Sequence, residues 1–598
     1  MNFGSNITCV SDDRFLEEFA AQNPSIEETQ MICGVPLSDL DGADPEPSPE
    51  PVEIDFSTLK KEDFSRSELF ENYLRFRDEI SAAEYAARLI ERAAELKAKT
   101  VATERLKPYK KELAARLKKE RADALCKERA EKISKKLSEA GFGDADYIYP
   151  KRDGTLAVNT ALLARYIQKN VKYRIIGDGV QENRLFLYQN GIYSQCGDDA
   201  LNGFIRKFVE SVDPSILKTS DLQECRKLLY AVSDPETDDI FDSDADLIVF
   251  NNGVLNVRTK EFGRHDPDVL STVKLNMDYD PTAHGCSVTR KFLNDLCGGS
   301  AEWTNFLCEL VGAVLSAAPL EKAKKIIFIT GAPHSGKSQL ISLLQRLLGS
   351  AHYCVCTPKD IETNKYASSD LYHKRLCGCS DLGFCDTNEV QLLKQISGGD
   401  NIRAEVKYGA TFSFVYHGIL LYACNELPKF AGADQAFYDR LIVLKVEKSV
   451  PENLRDPDLI NKLIAEAPAA FNELFLPGLT RFLDNGMRFT VPESNADNVG
   501  AYVAENSTAV GFYIECCRLR ETLEISKNDP SLCSNVLKLY REWCNVKGTK
   551  PLSAQRFNQQ LMEYLKQPSL NNMKFHRQFG DFYIFELNKT ALTEYRPF

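Results

Sequence analysis

The sequence lacks the features that would place it in a membrane or in a secreted class. No segment of its 598 residues approaches the roughly 18 consecutive apolar residues that a membrane-spanning helix needs. Residues 1–19 are acidic and contain no apolar core of the kind that a signal peptide carries. These absences predict a soluble, intracellular protein without membrane partners.

The 18 cysteines include no C-x-x-C pair, the arrangement that structural zinc sites commonly use. Cys354 and Cys356 are two residues apart, as are Cys377 and Cys379. On a strand, this spacing places both members of a pair on one face. The sequence therefore favours reduced, mostly buried thiols over a structural metal site.

A basic excess is also missing, since 86 acidic residues outnumber 74 basic ones and give a net charge of -12. This balance argues against a protein that coats nucleic acid with a uniformly basic surface. The acidic balance does not exclude a nucleic-acid-binding protein whose positive charge is confined to a channel. At this length, the ordinary content of 43% hydrophobic and 27% charged residues predicts several domains and more than one sizeable core.

Changes in composition along the chain predict six segments. One of them is a helical segment that Pro108 should break or kink. The basic stretch around Pro108 is more typical of a solvated helical arm than of an arm that contacts phosphates. The segments are a flexible stretch with an acidic Pro-rich linker (1–64), a charged helical arm (65–143), a mixed α+β domain (144–287), an α/β core that alternates strands and helices (288–450), a helical connector (451–504) and a C-terminal domain (505–598).

The C-terminal segment carries the pattern of a winged helix. Helices are predicted at 506–520, 534–547 and 553–566, and a hairpin is predicted to turn at Gly580 and Asp581. The third helix and the hairpin offer polar side chains to DNA, but winged helices also serve as protein-contact modules, so both roles stay open. These side chains are Gln555, Arg556, Gln559, Gln560, His576 and Arg577.

The clearest chemical motif is a phosphate-binding loop. Residues 326–330 predict a buried strand that leads directly into G-x-x-x-x-G-K-S and then into a helix. Backbone N–H groups of such a loop point inward, and the helix N-terminus adds its positive end. Lys337 would reach the β- and γ-phosphates of ATP, and the Ser338 hydroxyl would ligate Mg²⁺. The predicted nucleotide-binding residues are Gly331, Ala332, Pro333, His334, Ser335, Gly336, Lys337, Ser338 and Gln339.

Three polar residues downstream of the loop complete a candidate catalytic set with Lys337. Asp381 ends a small-residue strand and would hold Mg²⁺ with Ser338, unless it is an ordinary turn aspartate. Asn425 ends another buried strand and would orient the attacking water or sense the γ-phosphate, unless it caps a turn. Arg440 precedes a further strand and would reach the nucleotide of a neighbouring subunit, unless it is a surface or ion-paired residue.

The order of Lys337-Ser338, Asp381, Asn425 and Arg440 resembles that of superfamily 3 helicases. More narrowly, the chain is similar to the phage/plasmid and poxvirus-type primase-helicase family. The similarity runs from about Asp146 to the C-terminus and is densest at 245–447. It is carried by four segments, namely 247–268 and 275–283 before the core, 393–408, which resembles the family's hairpin segment, and 425–428, which resembles its sensor motif.

The resemblance implies an AAA+-like P-loop core that assembles as a hexameric ring around one DNA strand. ATP hydrolysis with Mg²⁺ would drive unwinding of single-stranded and forked DNA, with replication-fork proteins as partners. The resemblance places Lys394, Arg403 and Lys407 in an element that projects into the channel, where they would neutralise DNA phosphates. Tyr408 would stack on a base or pack in the core. The location would be the cytoplasm of a bacterial host, if a phage or plasmid encodes the chain.

Two departures from the family pattern matter. Many relatives carry two adjacent acids where Ser380 precedes a lone Asp381, so the catalytic base stays open. Primer synthesis is not expected, because the dense acidic cluster at 242–246 predicts a loop and the first 140 residues are too helical for a primase. The candidates for the base are Glu426, Asp386 and Glu389.

Two other functions compete with the helicase. One is an origin-binding initiator whose ATPase drives assembly, and the other is a P-loop kinase or unrelated NTPase. The hairpin segment and Arg440 argue against the kinase.

Overall fold

The computed structural model divides into two compact units, Met1–Ile175 with Gln195–Asp234 and Ile176–Ser194 with Pro235–Phe598. It describes residues 50–598 except 144, 152, 178–182, 232–233, 384–385, 388, 408–410, 431, 523, 526–528, 568, 579, 589–590, 592, 594 and 596–598. Of residues 1–49 it describes the backbone of β1 (Met31–Ile32) and β2 (Val35–Pro36), so most of the predicted flexible segment lies outside the described residues. Only the backbone of Asp386 is described. Every helix in the described part is too short or too polar to cross a lipid bilayer.

The first unit is mainly helical. Its elements are α1 (Glu68–Glu71), α2 (Glu79–Glu95), α3 (Lys99–Glu139), β3 (Ile148–Pro150), β4 (Leu156–Val158), α4 (Thr160–Asn170), β5 (Tyr173–Ile176, whose last residue belongs to the second unit), α5 (Asp198–Glu210) and α6 (Thr219–Tyr230). Of the two outcomes predicted at Pro108, a break or a kink, the break is wrong, because α3 continues through that residue. Leu106 and Leu113 on either side of Pro108 are buried in one core with α2, and this packing offsets the lost backbone hydrogen bond.

The second unit begins with β-structure and then alternates helices and strands. Its elements before the C-terminal region are β6 (Arg184–Gln189), β7 (Ile192–Gln195, whose last residue belongs to the first unit), β8 (Leu247–Phe250), β9 (Gly253–Asn256), β10 (Phe262–Gly263), α7 (Ser287–Leu296), α8 (Ala301–Val314), β11 (Ile326–Gly331), α9 (Lys337–Leu348), β12 (Tyr353–Cys354), α10 (Pro358–Thr363), β13 (Leu376–Leu382), β14 (Asp386–Thr387), α11 (Gln391–Gly398), β15 (Ile402–Glu405), β16 (Thr411–Phe414), β17 (Ile419–Cys424), β18 (Lys429–Phe430), α12 (Gln435–Tyr438) and β19 (Leu441–Val446). Within the predicted mixed α+β domain, the segment around 248–265 forms the antiparallel sheet β10-β9-β8.

A five-stranded parallel sheet lies at the centre of this unit, in the order β12-β13-β17-β11-β19. Every residue of β17 is buried, and β11 is buried until Gly331, because helices or loops cover both faces. Such strands are continuous apolar runs in sequence rather than alternating ones. The predicted α/β core with a parallel sheet is confirmed.

The chain continues through a helical region into a C-terminal domain. The elements are α13 (Leu459–Ala465), α14 (Ala467–Ala470), a π-helical turn (Phe471–Phe475), α15 (Leu476–Asp484), α16 (Ser494–Asn506), α17 (Thr508–Cys516), β20 (Cys517–Leu519), α18 (Cys533–Val546), α19 (Ala554–Tyr564), α20 (Leu570–Met573), β21 (Lys574–Arg577), β22 (Gly580–Tyr583) and β23 (Phe585–Leu587).

Two predictions for the C-terminal domain were wrong in detail. The helix predicted at 506–520 ends at Cys516, because the next residues pair with β23 as strand β20. The hairpin does not turn at Gly580 and Asp581, because these two residues lie within β22. Gly580 pairs with Arg577, the last residue of β21. Strand pairing between distant segments decided the first outcome, and local helical periodicity does not encode it.

Candidate nucleotide-binding site

The phosphate loop joins the carboxyl end of β11 to the N-terminus of α9. Gly331 has a φ of +127°, and a Cβ there would lie 2.1 Å from the carbonyl oxygen of Val446. Gly336 has a φ of +96° and caps α9, and a Cβ there would lie 3.1 Å from the ring of Phe292. Both positions therefore require glycine, and the predicted strand–loop–helix context is confirmed.

Lys337 is buried within the loop that precedes it. Its Nζ donates to the carbonyl oxygens of Gly331 at 2.9 Å and Ala332 at 2.6 Å, and to the amide Oδ1 of Asn425 at 3.3 Å. Burial lowers the pKa of Lys337, while the nearby Asp381 carboxylate acts in the opposite direction. Among the described residues, the hydrogen-bond acceptors of this buried ammonium are neutral oxygens, so an anionic ligand would compensate its charge.

Ser338 and Asp381 lie at the same edge of the sheet. The Ser338 Oγ donates to the carbonyl oxygen of Ser380 at 2.6 Å, and Asp381 follows immediately with an exposed side chain. The register of β13 shifts between Cys379 and Leu382, so the strand is irregular where it presents Asp381. Hydroxyl and carboxylate oxygens are the donors that Mg²⁺ prefers, so this pair fits the predicted metal.

Asn425 comes from the strand that separates the phosphate loop from Asp381. Strand β17 lies between β11 and β13, so Asp381 is two strands away from the strand that leads into the phosphate loop. Asn425 follows β17 directly, and its backbone carbonyl accepts a hydrogen bond from Thr330 Oγ1 at 3.1 Å. The carboxyl ends of three adjacent strands thus bring Lys337, Asp381 and Asn425 together.

Arg440 lies at the opposite edge of the same sheet. Its carbonyl oxygen accepts a hydrogen bond from Ile326 N at 2.8 Å, at the start of β11, whereas the phosphate loop follows the end of that strand at Gly331. Five residues of strand separate these ends by about 16 Å. The Arg440 Nη1 donates to Ala436 O at 2.5 Å. Arg440 is therefore not part of the site formed by its own chain.

The predicted projecting element is a hairpin of β15 and β16, which contains two of the three predicted basic residues. Arg403 is exposed on β15, opposite Ser413, and Lys407 is exposed in the turn that follows. Tyr408 lies outside the described residues. Lys394 does not belong to this hairpin.

Lys394 lies instead on α11, where its Nζ contacts the Asp434 carboxylate at 2.7 Å. Grouping it with the hairpin was wrong. The apolar residues Leu393 and Ile396 anchor α11 in the core, so the helix packs against the body and the hairpin begins only at Ile402.

Among the candidates for the base, Glu426 is exposed and directly follows Asn425, which contacts Lys337. Glu389 is also exposed and precedes α11. The backbone of Asp386 pairs with Lys429 in the short parallel pair β14–β18.

Sequence reasoning missed the residues that hold the loop from the segment after β19. The Ser449 Oγ donates to Pro333 O at 2.7 Å, and Val450 N donates to His334 O at 3.1 Å. These residues form no motif and are more than 100 positions from the loop. The signal that could have identified Ser449 and Val450 is their position directly after β19, the strand that pairs with β11.

Two other predicted groups are placed by the structure. The acidic cluster at 242–246 is a loop, as predicted, in which Asp242 Oδ1 accepts hydrogen bonds from Thr272 N at 2.9 Å and Ser271 Oγ at 2.8 Å.

On α19, Gln555, Arg556 and Gln559 are exposed, whereas Gln560 is half-buried and accepts a hydrogen bond from Ser507 Oγ at 2.7 Å. Gln560 is thus less available to a partner than its neighbours. In the hairpin, His576 and Arg577 are exposed, and His576 Nδ1 lies 2.8 Å from Asp581 Oδ1.

Two parts of the chain match known families. Residues 161–298 match a family described as D5 N terminal like. Residues 329–440 match a family described as a family of unknown function (DUF5906). The second match contains the phosphate loop, Asp381, Asn425 and Arg440.

Among curated proteins, the chain is 26% identical over 260 residues to a protein of Acanthamoeba polyphaga mimivirus that is named a putative helicase. It is 24% identical over 378 residues to a Sputnik virophage protein that is also named a putative helicase. These matches cover 41% and 57% of this chain, and 26% and 46% of the two relatives. The matched part is therefore less than half of either relative.

Among solved structures, the chain is similar to the apo structure of the NrS-1 C terminal region, with 9% identity and a TM-score of 0.39. This alignment covers 72% of the present chain and 99% of the other. The A form apo structure of the same region aligns with 10% identity and a TM-score of 0.38, over 71% of this chain and 99% of that one.

Proposed function

We propose that the chain is an ATP-dependent DNA helicase that acts in the replication of a virus or related mobile element. The observation that carries this proposal is the meeting of Lys337, Ser338, Asp381 and Asn425 at one edge of a parallel sheet. The names of the mimivirus and virophage relatives support the assignment to helicases. Primer synthesis is not part of the proposal.

In this proposal the loop at 331–338 holds the phosphates of ATP. The Lys337 ammonium, which now contacts the carbonyls of Gly331 and Ala332, would turn to the β- and γ-phosphate oxygens. Asn425 would place the attacking water, because its side chain already reaches Lys337. Ser338 and Asp381 would hold Mg²⁺, which neutralises phosphate charge when bound. Glu426, next to Asn425, is our choice for the base.

Arg440 supports a ring of subunits in an AAA+-like arrangement. Because it lies at the far edge of the sheet from its own phosphate loop, it would serve as an arginine finger only for the nucleotide of a neighbouring chain. A closed ring of identical subunits presents one such arginine at each interface. We propose a hexamer, as in the family that the sequence resembles.

The hairpin of β15 and β16 would contact single-stranded DNA inside the ring. Arg403 and Lys407 are exposed on it, and such residues neutralise backbone phosphates without reading sequence. ATP hydrolysis at the subunit boundary would move the hairpin along the strand.

A replication initiator that binds an origin is the second candidate. It is favoured by the C-terminal helices α17, α18 and α19 with the hairpin β21–β22, a set of elements compatible with a winged helix. The exposed Gln555, Arg556 and Gln559 on α19 would enter a duplex groove.

Three measurements on the full chain test these functions. ATP hydrolysis is measured with and without single-stranded DNA, the mass in solution is measured with nucleotide, and strand displacement is measured on a forked duplex. We expect DNA-stimulated hydrolysis, a hexameric mass and displacement of the strand. Footprints on duplex DNA without displacement would favour the initiator. A monomer that responds to neither nucleotide nor DNA would exclude both.

A further inference from the structure

Three cysteines converge at the edge of the parallel sheet, one on β12, one just after β12 and one on β13. Cys354 ends β12, Cys356 follows two residues later, and Cys377 pairs with Cys354 in the parallel register of the two strands. The three sulfur atoms all lie within 4.8 Å of one another. Cys356 and Cys377 are buried, and Cys354 is half-buried.

The spacing of these sulfurs suits a bound metal ion. An ion that binds three thiolates at about 2.3 Å from each holds the sulfurs about 4 Å apart. The observed upper limit of 4.8 Å needs side-chain adjustments of less than about 1 Å to reach that geometry. Thiolates are the ligands that select soft ions such as Zn²⁺ and Cu(I) over hard ions such as Mg²⁺.

We propose that Cys354, Cys356 and Cys377 form a three-thiolate site for a soft metal ion, with Zn²⁺ as the first candidate. Cys354 and Cys356 supply two ligands from one short segment, and Cys377 on the neighbouring strand supplies the third. Water or an exogenous ligand would complete a tetrahedral Zn²⁺ site, whereas Cu(I) would be satisfied by three sulfurs.

The surroundings of the sulfurs fit a site of this charge. Three thiolates and Zn²⁺ carry a net charge of about -1. Lys374, which is half-buried, interacts electrostatically with Cys354, and its ammonium would offset that charge. Tyr416 and Tyr422 are buried in the same apolar core cluster as Cys356 and Cys377.

The bound ion would hold the edge of the sheet together. β12 consists of two residues and makes two register pairs with β13, a short pairing for an edge strand. A link from Cys354 and Cys356 to Cys377 would also fix the start of α10 at Pro358. The site lies on β13 ahead of Asp381, so it would stabilise the fold without touching the nucleotide.

The test uses the full chain, purified under reducing conditions without chelators. We expect about one equivalent of zinc per chain by elemental analysis. After exchange, Co²⁺ should give a thiolate-to-cobalt charge-transfer band in the near ultraviolet. A parallel titration with Cu(I) identifies which soft ion binds more tightly.

Matched variants separate the proposed ligands from their neighbour. Cys354→Ser and Cys356→Ser should each reduce the cobalt band, because one of three thiolate bonds is lost, and should weaken metal binding by at least about tenfold. Cys379→Ser should keep both, because Cys379 lies two residues further along β13 and outside the cluster. Circular dichroism of each variant separates loss of a ligand from loss of the fold.

Three results would overturn the proposal. The first is that the full chain gives no cobalt band and takes up no zinc. The second is that the Cys356→Ser variant binds metal as tightly as the unchanged chain. The third is that a disulfide among the three cysteines persists under reducing conditions. None of them bears on ATP hydrolysis, so the failure of this site would leave the proposed helicase function untouched.

Discussion

The Nζ of Lys337 lies 3.3 Å from the amide Oδ1 of Asn425, across 88 positions of sequence. This contact joins the phosphate loop to the end of β17, the strand that lies between β11 and β13. A change at the phosphate that Lys337 is proposed to hold would therefore be transmitted directly to the residue proposed to position water.

Lys337→Ala is expected to abolish ATP hydrolysis, because the γ-phosphate loses its main positive partner. Turnover is measured with and without single-stranded DNA. Lys462→Ala is the control, since Lys462 is an exposed residue on α13 that pairs with Asp456. DNA-stimulated turnover that survives in Lys337→Ala would contradict the site assignment.

Asn425→Ala should lower kcat by about 10- to 100-fold while KM for ATP changes little. The physical reason is that Asn425 would act on the water in the transition state, whereas the loop backbone provides most of the ground-state binding. Steady-state kinetics over a range of ATP concentrations gives both constants. An increase of KM at unchanged kcat would instead mean that Asn425 only helps to bind nucleotide.

Arg440→Ala should lower the rate of ATP hydrolysis by about 10³-fold. A neighbouring subunit that keeps its arginine should restore that rate. Under this proposal Lys337→Ala alone is inactive, and Arg440→Ala alone keeps only a small residual activity. A mixture of the two forms some interfaces that have both an intact loop and an intact arginine, and these should regain activity. If the mixture stays as inactive as its components, Arg440 does not act between subunits.

Lys407→Ala should spare basal hydrolysis but impair unwinding, because the residue lies exposed at the turn of the hairpin. Removal of one phosphate contact should reduce the salt slope of single-stranded DNA binding by about 0.7. Lys394→Ala should leave that slope unchanged, since Lys394 pairs with Asp434 on the body of the domain. Equal loss of hydrolysis and unwinding in Lys407→Ala would indicate a role in the fold.

The free energy of unfolding should fall as the pH decreases from about 6.5 to about 4, because His352 resists protonation in the folded state. Burial, followed by the nearby charge of Lys374, lowers the pKa of His352 from 6.5 to about 4. His373 and Lys274 act in the same direction, and Asp242 opposes them. In this window the unfolded chain binds a proton that the folded chain refuses, so the folded state loses up to about 3 kcal/mol. The loss is complete below the folded pKa, and the contribution is fully retained above pH 6.5.

Urea denaturation at a series of pH values measures this loss. His352→Gln is the comparison, because glutamine does not titrate and can accept from Lys274 N, as the His352 Nε2 does at 3.3 Å. The slope of stability against pH should be smaller in the variant between pH 4.5 and 6.5. Identical slopes would place the acid sensitivity on other groups.

The sequence by itself determined the features that depend on neighbouring residues. The buried strand at 326–330, the glycines at 331 and 336 and the helix after them follow from local sterics and spacing, and the structure has them as predicted. The positions of Asp381 and Asn425 at strand ends were likewise visible, because each follows a short apolar run.

Tertiary structure alone decided which of these segments meet. It placed β17 between β11 and β13, put Lys394 on a helix outside the hairpin, continued α3 through Pro108 and brought Cys354, Cys356 and Cys377 within 4.8 Å of one another. The physical reason is that strand order and side-chain pairing come from burial of apolar faces between segments that are distant in the chain. Local propensity contains no information about those long-range contacts.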